Sequence, residues 1–316
     1  MRAYLVKRLV QMIPILVLIT FLVFSLLLLI PGDPVRAIVG SSEALDAEQM
    51  EIMRKQLHFD KPIPVQYAIW LGKVVRGDFG NSNHTKRLVI DELKDRFPVT
   101  LQVGFFAWLL SIVIALPAGI IAAVKRGSKA DFTATILSIG GVAIPGFFLG
   151  ILLILLFGVI LGWLPTLGYV SFFKDPVGAI THQLLPAFSL GLANAAMNMR
   201  QIRSSLLEVL AQDYIRTARS KGLTERMVIW IHALKNALLP VVTIMGLQIG
   251  RLFGGSVVIE TLFSIPGMGR LIVDSIFQKD FPVVQACVLI LALAVLLANL
   301  ITDMIYAYLD PRIRYE

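Results

Sequence analysis

The chain has little charge and little that could do covalent chemistry. Charged residues are only 16% of its 316 positions, against about 25% in a typical soluble domain. Apolar residues reach 57% and mean hydropathy is +0.78, which excludes disorder, a disulfide scaffold and most soluble enzymes, because so much apolar surface cannot be kept from water at this size. There is one cysteine, Cys287, inside an apolar run, so no intrachain disulfide can form. No phosphate-binding loop is present: the one Gly-Lys pair, Gly72-Lys73, has Tyr67 where the first glycine belongs and Val74 where Ser or Thr belongs. His58, His84, His182 and His232 are scattered and none lies in a His-Glu-x-x-His frame, so no metal site within the chain is expected. Ser256 lacks the Gly-x-Ser-x-Gly frame, and Asp78-Phe79-Gly80 has no catalytic loop to accompany it.

Long apolar runs take the place of chemistry. The first, Leu9 to Ile30, is 22 residues, about 33 Å as a helix and enough for a hydrocarbon core of about 30 Å. Arg2, Lys7 and Arg8 precede it, but the run is too long for a signal peptide and Pro-Gly-Asp-Pro stands where a small-residue cleavage site belongs, so it reads as an uncleaved anchor. Further runs are Thr100 to Val124, Phe132 to Leu161, Leu184 to Met199, Leu239 to Leu262 and Val283 to Tyr306. The expectation is an all-α polytopic membrane protein with six transmembrane helices. Pro145-Gly146 in the third run predicts a kink or tilt, and Asn194 and Asn198 make the fourth the least apolar.

The net charge of +8 could suggest nucleic acid, but its distribution says otherwise. Basic residues concentrate in the N-terminal tail, the Lys125 to Lys129 loop, the stretch from Arg200 to Lys235 and the C-terminal tail, while the alternate segments are balanced. That is positive-inside bias with both termini cytoplasmic, and no nucleic-acid role is expected. The chain then divides into residues 1–30, a tail and first helix; 31–98, an extracytoplasmic segment with a helix over Ala47 to Leu57; and 99–316, a five-helix core. Residues 31–98 are near the lower limit for independent folding, so they should lean on membrane helices or a partner.

Within the core, residues 204–238 read as a cytoplasmic hairpin. Leu207, Leu210, Ala211, Tyr214 and Ala218 share a helical face, Gly222 breaks the helix, Thr224 is an N-cap, and Met227, Val228, Ile231, Leu234 and Leu238 stripe the next helix. An amphipathic connector lying on lipid headgroups gives the same spacing. In the fifth span Gly246, Gly250 and Gly254 recur every four residues and predict close helix packing. In the fourth, Gly191, Asn194, Ala195 and Asn198 form a small polar stripe that should face another helix or an aqueous path. Arg251 lies mid-span, where a charge costs roughly 2.5–3.5 kcal/mol on insertion scales, so it should meet protein, water or an anion. Glu260 and Asp303 lie nearer span ends.

The hairpin reads AQDYIRTARSKGLTERMVIWIHALKNALLPVVTIMGLQ, and around it stand PGDP at Pro31 to Pro34, GDFG at Gly77 to Gly80, GWLPTLG at Gly162 to Gly168, PGMGR at Pro266 to Arg270 and the closing Asp310-Pro311-Arg312. Taken together in chain order, these segments resemble ATP-binding-cassette importer permeases of the dipeptide, oligopeptide, glutathione and nickel branch. The family signature Glu-Ala-Ala-x-x-x-Gly falls on Arg216, Thr217, Ala218 and Gly222; only the last two match literally, and Leu239-Pro240 follows at the longer spacing of the peptide branch. The resemblance implies a coupling helix carrying Tyr214, Arg216, Thr217, Ala218, Arg219, Lys221 and Gly222 that docks on a separate ATPase. It implies a second permease subunit, two ATPase subunits that hold ATP and Mg, an extracytoplasmic substrate-binding protein, and a surrounding lipid membrane; this chain itself would hold no cofactor. Asn194, Asn198 and Arg251 are the candidates for the translocation path. The competing reading is a self-contained ion-coupled secondary transporter, which usually shows internal repeats and paired ionisable residues at mid-membrane; no repeat is visible and Arg251 stands alone.

Overall fold

A computed structural model describes residues 2–28 and 46–309; the PGDP and closing Asp-Pro-Arg motifs lie outside the described residues. The regular structure there is helical, with one isolated antiparallel bridge between Asn81 and Leu88. In chain order the helices are α1 (Arg2–Leu28), α2 (Ala47–Gln56), α3 (Ile63–Val75), α4 (Val89–Val124), α5 (Lys129–Ala143), α6 (Gly146–Leu153), α7 (Pro176–Leu210), α8 (Asp213–Ser220), α9 (Glu225–Met227), α10 (Leu234–Ala237), α11 (Leu239–Leu262), α12 (Met268–Phe277) and α13 (Phe281–Leu309). Two π-helices interrupt the series, π1 (Ile154–Ile160) and π2 (Val228–Ala233). Several starts are capped as their sequences dictate: Asp46 and Gln49 form a capping box on α2, the Ser128 hydroxyl accepts from the Asp131 N–H on α5, and Asp175 Oδ1 accepts from the Gly178 N–H at 2.9 Å on α7.

The chain is a polytopic all-α membrane protein. Val6–Leu27, Val89–Val124, Leu239–Leu262 and Phe281–Met304 are each long and apolar enough to cross a bilayer. The run expected as a single kinked third span is a broken pair instead. The helices Lys129–Ala143 and Gly146–Ile160 meet at 103°, a fifth crossing if taken as one. Pro145 is the cause: it has no N–H to continue the ladder and forces Ile144 out of the helical region, to φ −82° and ψ 122°. The fourth expected span lies inside α7, whose 35 residues are ample in length but too polar to qualify on composition.

Two compact units make up the fold. One comprises Met1–Pro98 with Pro266–Ala294, and so takes in both the 1–30 and 31–98 segments and part of the expected core. Within it α3 leans on α1: the Tyr67 and Thr20 hydroxyls bond at 2.8 Å, and Phe21, Phe24, Tyr67 and Trp70 stack edge to face or tilted. Val89, Leu93, Met268, Val283, Ala286 and Cys287 form its core. Asp280, buried, accepts from the Ser82 hydroxyl and from the Asn83 and His84 N–H groups, which fixes the loop before α4.

The second unit comprises Val99–Ile265 with Val295–Glu316. Helix α7 runs through it and is approached closely at glycines. A Cβ on Gly191 would fall 2.6 Å from the Ala107 carbonyl oxygen, one on Gly146 2.8 Å from that of Ser189, and one on Gly119 2.8 Å from the Ile202 side chain. Glycine at these points sets the interhelical distance.

Candidate functional site

The hairpin begins where α7 ends at Leu210. Gln212 opens α8 with extended backbone (φ −73°, ψ 151°), so Ala211 and Tyr214 do not continue the face of Leu207 and Leu210; both are exposed. The buried face of α8 is Ile215 with Ala218. Sequence reading missed Ile215, although its spacing of three from Ala218 was available. Tyr214, Arg216, Thr217, Arg219, Lys221 and Gly222 are all exposed, which leaves a polar, largely cationic surface over a two-residue apolar anchor.

Gly222 closes the turn at φ +76°, its N–H bonded to the Arg219 carbonyl at 2.9 Å. Left-handed backbone of this kind is the natural stop of a helix. Beyond it Thr224 caps α9 by accepting from the Met227 N–H. Arg219 reaches across the turn to Glu225, Nε to Oε1 at 2.7 Å and Nη2 to Oε2 at 3.3 Å, and that hydrogen bond raises the guanidinium pKa. Asn236 Nδ2 donates to the Tyr214 hydroxyl at 2.9 Å, tying α10 to α8.

The expected stripe on the returning segment is corrected by π2. Val228, Ala233, Leu234 and Ala237 are buried, while Met227 and Ile231 face out. A π-turn bonds i to i+5, so the inward positions slip from an α-helical spacing to the step from Val228 to Ala233. At the hairpin's base Arg203 grips Asp131 with Nε to Oδ1 at 2.6 Å and Nη2 to Oδ2 at 2.9 Å, and Gly127 N–H adds a third bond to Oδ2. This ties the α4–α5 loop to α7, and nothing in the sequence linked residues so far apart.

On the membrane helices the candidate path residues separate. Asn198 is fully buried, and its amide exchanges two bonds with Gln248, both at 2.9 Å. It therefore faces a helix, one of the two surroundings expected for it; Gln248 was not singled out in the sequence. Asn194 is half-buried. Of the three spaced glycines, Gly246 packs on Thr302 and Gly250 on Val295 and Asn299, whereas Gly254 faces open space, so the expected groove is two glycines long. Arg251 is exposed. Glu260 is buried and accepts from the Thr100 hydroxyl at 2.7 Å. Among the described residues no three His, Cys, Asp or Glu side chains gather as a metal site would require.

Comparison with known proteins gives this arrangement its context. Residues 115–315 match the family model described as binding-protein-dependent transport system inner membrane component, and residues 1–104 match the N-terminal model of the same membrane component. The chain belongs to that family. It is thus a permease subunit of an ABC importer, a multi-pass inner-membrane transport subunit and not an enzyme, its ATPase being a separate subunit. The permease is 43% identical over 313 residues, 99% of each chain, to the glutathione transport system permease protein GsiC of Escherichia coli K12, and equally to that of Shigella dysenteriae serotype 1. Its fold resembles the inward-facing MetNI methionine ABC transporter, with a TM-score of 0.58 at 21% identity over 70% of this chain and 97% of that one.

Two features of the permease stand apart in its structure. The buried Asn198–Gln248 amide pair bonds α7 to α11 along their packed faces. The α8 surface is exposed and cationic, and Gly222 turns the chain behind it. Membership of the family implies partners in general: a second permease, ATPase subunits and a substrate-binding protein.

Proposed function

We propose that this permease forms half of the translocation path for small peptides, with glutathione the leading candidate, and that α8 docks on an ATPase subunit. The observation that carries the substrate class is the 43% identity over 99% of both chains to glutathione permeases. The docking role rests on the hairpin: Ile215 and Ala218 anchor α8 while Tyr214, Arg216, Thr217, Arg219 and Lys221 project outward, and the Gly222 turn fixes its exit. In this reading both termini and the hairpin are cytoplasmic, α7 is a crossing despite its polar residues, and α5 with α6 makes one bent crossing, for six in all. Two ATPase subunits bind and hydrolyse ATP with Mg, an extracytoplasmic binding protein delivers the peptide, and residues 31–98 contribute to its docking or to the entrance.

The test is purification of the tagged permease from membranes, identification of its partners by mass spectrometry, and reconstitution with its binding protein in vesicles. ATP-dependent uptake of glutathione, competed by short peptides, is the expected result. Uptake that persists without any ATPase subunit would overturn the reading.

A further inference from the structure

We infer that Arg251 is a recognition residue of the path and binds the C-terminal carboxylate of the transported peptide. The inference rests on the reading of the chain as a peptide permease. Arg251 lies at the middle of α11, and among the described residues its guanidinium has no hydrogen-bond or ion-pair partner. It lies three residues past Gln248, about 60° round the helix, at the edge of the face that the Asn198–Gln248 bonds tie to α7.

Its surroundings favour a ligand. Leu247, Gly254 and Val258, the neighbours on its own face, are all exposed, and a Cβ on Gly254 would meet nothing within 4 Å, so space lies open beside the guanidinium. The other charge on α11, Glu260, is nine residues on, which places it on the opposite side of the helix, where it is buried and bonded to Thr100. The helix therefore supplies no counter-charge. A guanidinium against lipid tails at mid-span is strongly disfavoured, so this exposed face should meet water, protein or an anion. A peptide brings a carboxylate, whose two oxygens match the guanidinium fork, and in a desolvated passage that pairing is strong and directional. The site is one for a monoanionic carboxylate presented by a small solute.

Uptake of glutathione and of its glycyl monoethyl ester is compared in the reconstituted complex for wild type, Arg251→Met, Arg251→Gln and Arg251→Lys. The binding protein is the same throughout, so its own preference cancels when acid-to-ester ratios are compared between forms. The expected result is a fall in that ratio of about tenfold or more for Met and Gln, through slower acid uptake, with Lys keeping most of it. A ratio unchanged in Met or Gln, or equal losses of acid and ester, overturns the role. If neither Met nor Gln co-purifies with the second permease while Lys does, the charge belongs to the permease–permease contact and the inference is again overturned. Failure of the wild type to take up glutathione or any tested peptide is a separate outcome, visible without variants, that overturns both the substrate class and this role.

Discussion

The α7–α11 contact and the hairpin from α8 to α10 lie in the same compact unit and are built on opposite principles. The contact buries its polar groups and satisfies them, with Asn198 and Gln248 exchanging two bonds at 2.9 Å. The hairpin leaves its polar groups outside and holds α8 by Ile215 and Ala218. Around α7 change is resisted, because an alteration strands the amide it shares with α11 or, at Gly191, meets the packed backbone of α4. The hairpin is tolerant of side-chain volume and sensitive to backbone conformation. If α8 docks on an ATPase subunit as proposed, the first region keeps the helices in register and the second meets the partner.

The sharpest way to break this contrast is at Gly191. A Cβ there would meet the Ala107 carbonyl oxygen at 2.6 Å, and the carbonyl carbon at 3.4 Å; both are main chain of α4 and have no side-chain freedom to yield. Gly191→Val should cost about 3 kcal/mol, seen as lost accumulation of the complex and a lowered melting temperature in detergent. A Val form that accumulates and melts like wild type would show that α4 and α7 are not held rigidly.

Next in size is the amide pair. Asn198→Leu leaves Gln248 buried without its partner and should cost about 1–3 kcal/mol, with membrane proteins tending to the lower end. Adding Gln248→Met should recover most of the loss, because two apolar groups of similar shape strand nothing. A double-mutant cycle on the thermal stability of the complex measures this directly. Strictly additive losses would mean that the pair contributes no coupling.

These same residues show what could be read in advance. Gly222 and Thr224 announced their turn and cap because a helix stop is written in two or three adjacent residues, and four of the six apolar runs announced helices long and apolar enough to cross a bilayer for the same local reason. The stripe through Met227 and Ile231 failed because a π-turn changes the period without a residue type that marks it. Pro145 was visible, but whether a proline kinks a helix or breaks it by 103° depends on what packs on either side. Asn198 was read as polar in an apolar place, which is correct, yet its partner is 50 residues away. Arg203 and Asp131, 72 residues apart, escaped notice altogether for that reason.

On the hairpin side the larger effect should come from backbone. Nothing lies within 4 Å of a Cβ on Gly222, so only its φ of +76° opposes substitution. Gly222→Val should destabilise the turn by about 1–2 kcal/mol, leave the amount of protein in the membrane nearly unchanged, and lower substrate-stimulated ATPase activity and uptake together. Gly222→Asn, which tolerates left-handed backbone, should restore most of both. If Val couples normally, the turn has no part in transmission; if Asn fails as badly as Val, partner contact rather than φ is the constraint.

The smallest expected change in stability is at Arg219 and Glu225, and it separates two roles that the structure gives to one residue. Arg219 closes the glycine turn on Glu225 and also stands on the exposed surface of α8. Both side chains are well exposed, so the pair should contribute only about 0–1 kcal/mol, less at high salt. Arg219→Gln and Glu225→Gln each open the turn, but only the first removes positive charge from α8. The exchange Arg219→Glu with Glu225→Arg keeps an ion pair across Gly222 while reversing the sign presented by α8. If the pair serves the turn alone, the exchanged form should couple ATP hydrolysis to uptake as wild type does, and the two single variants should show equal, slight defects. If α8 docks by charge, the exchanged form and Arg219→Gln should both couple poorly while Glu225→Gln stays close to normal, the melting temperature moving little in any of them. The second pattern is expected, because Arg216, Arg219 and Lys221 lie exposed within one short helix and its cap, and cationic surface concentrated in that way acts on a partner more than on its own fold.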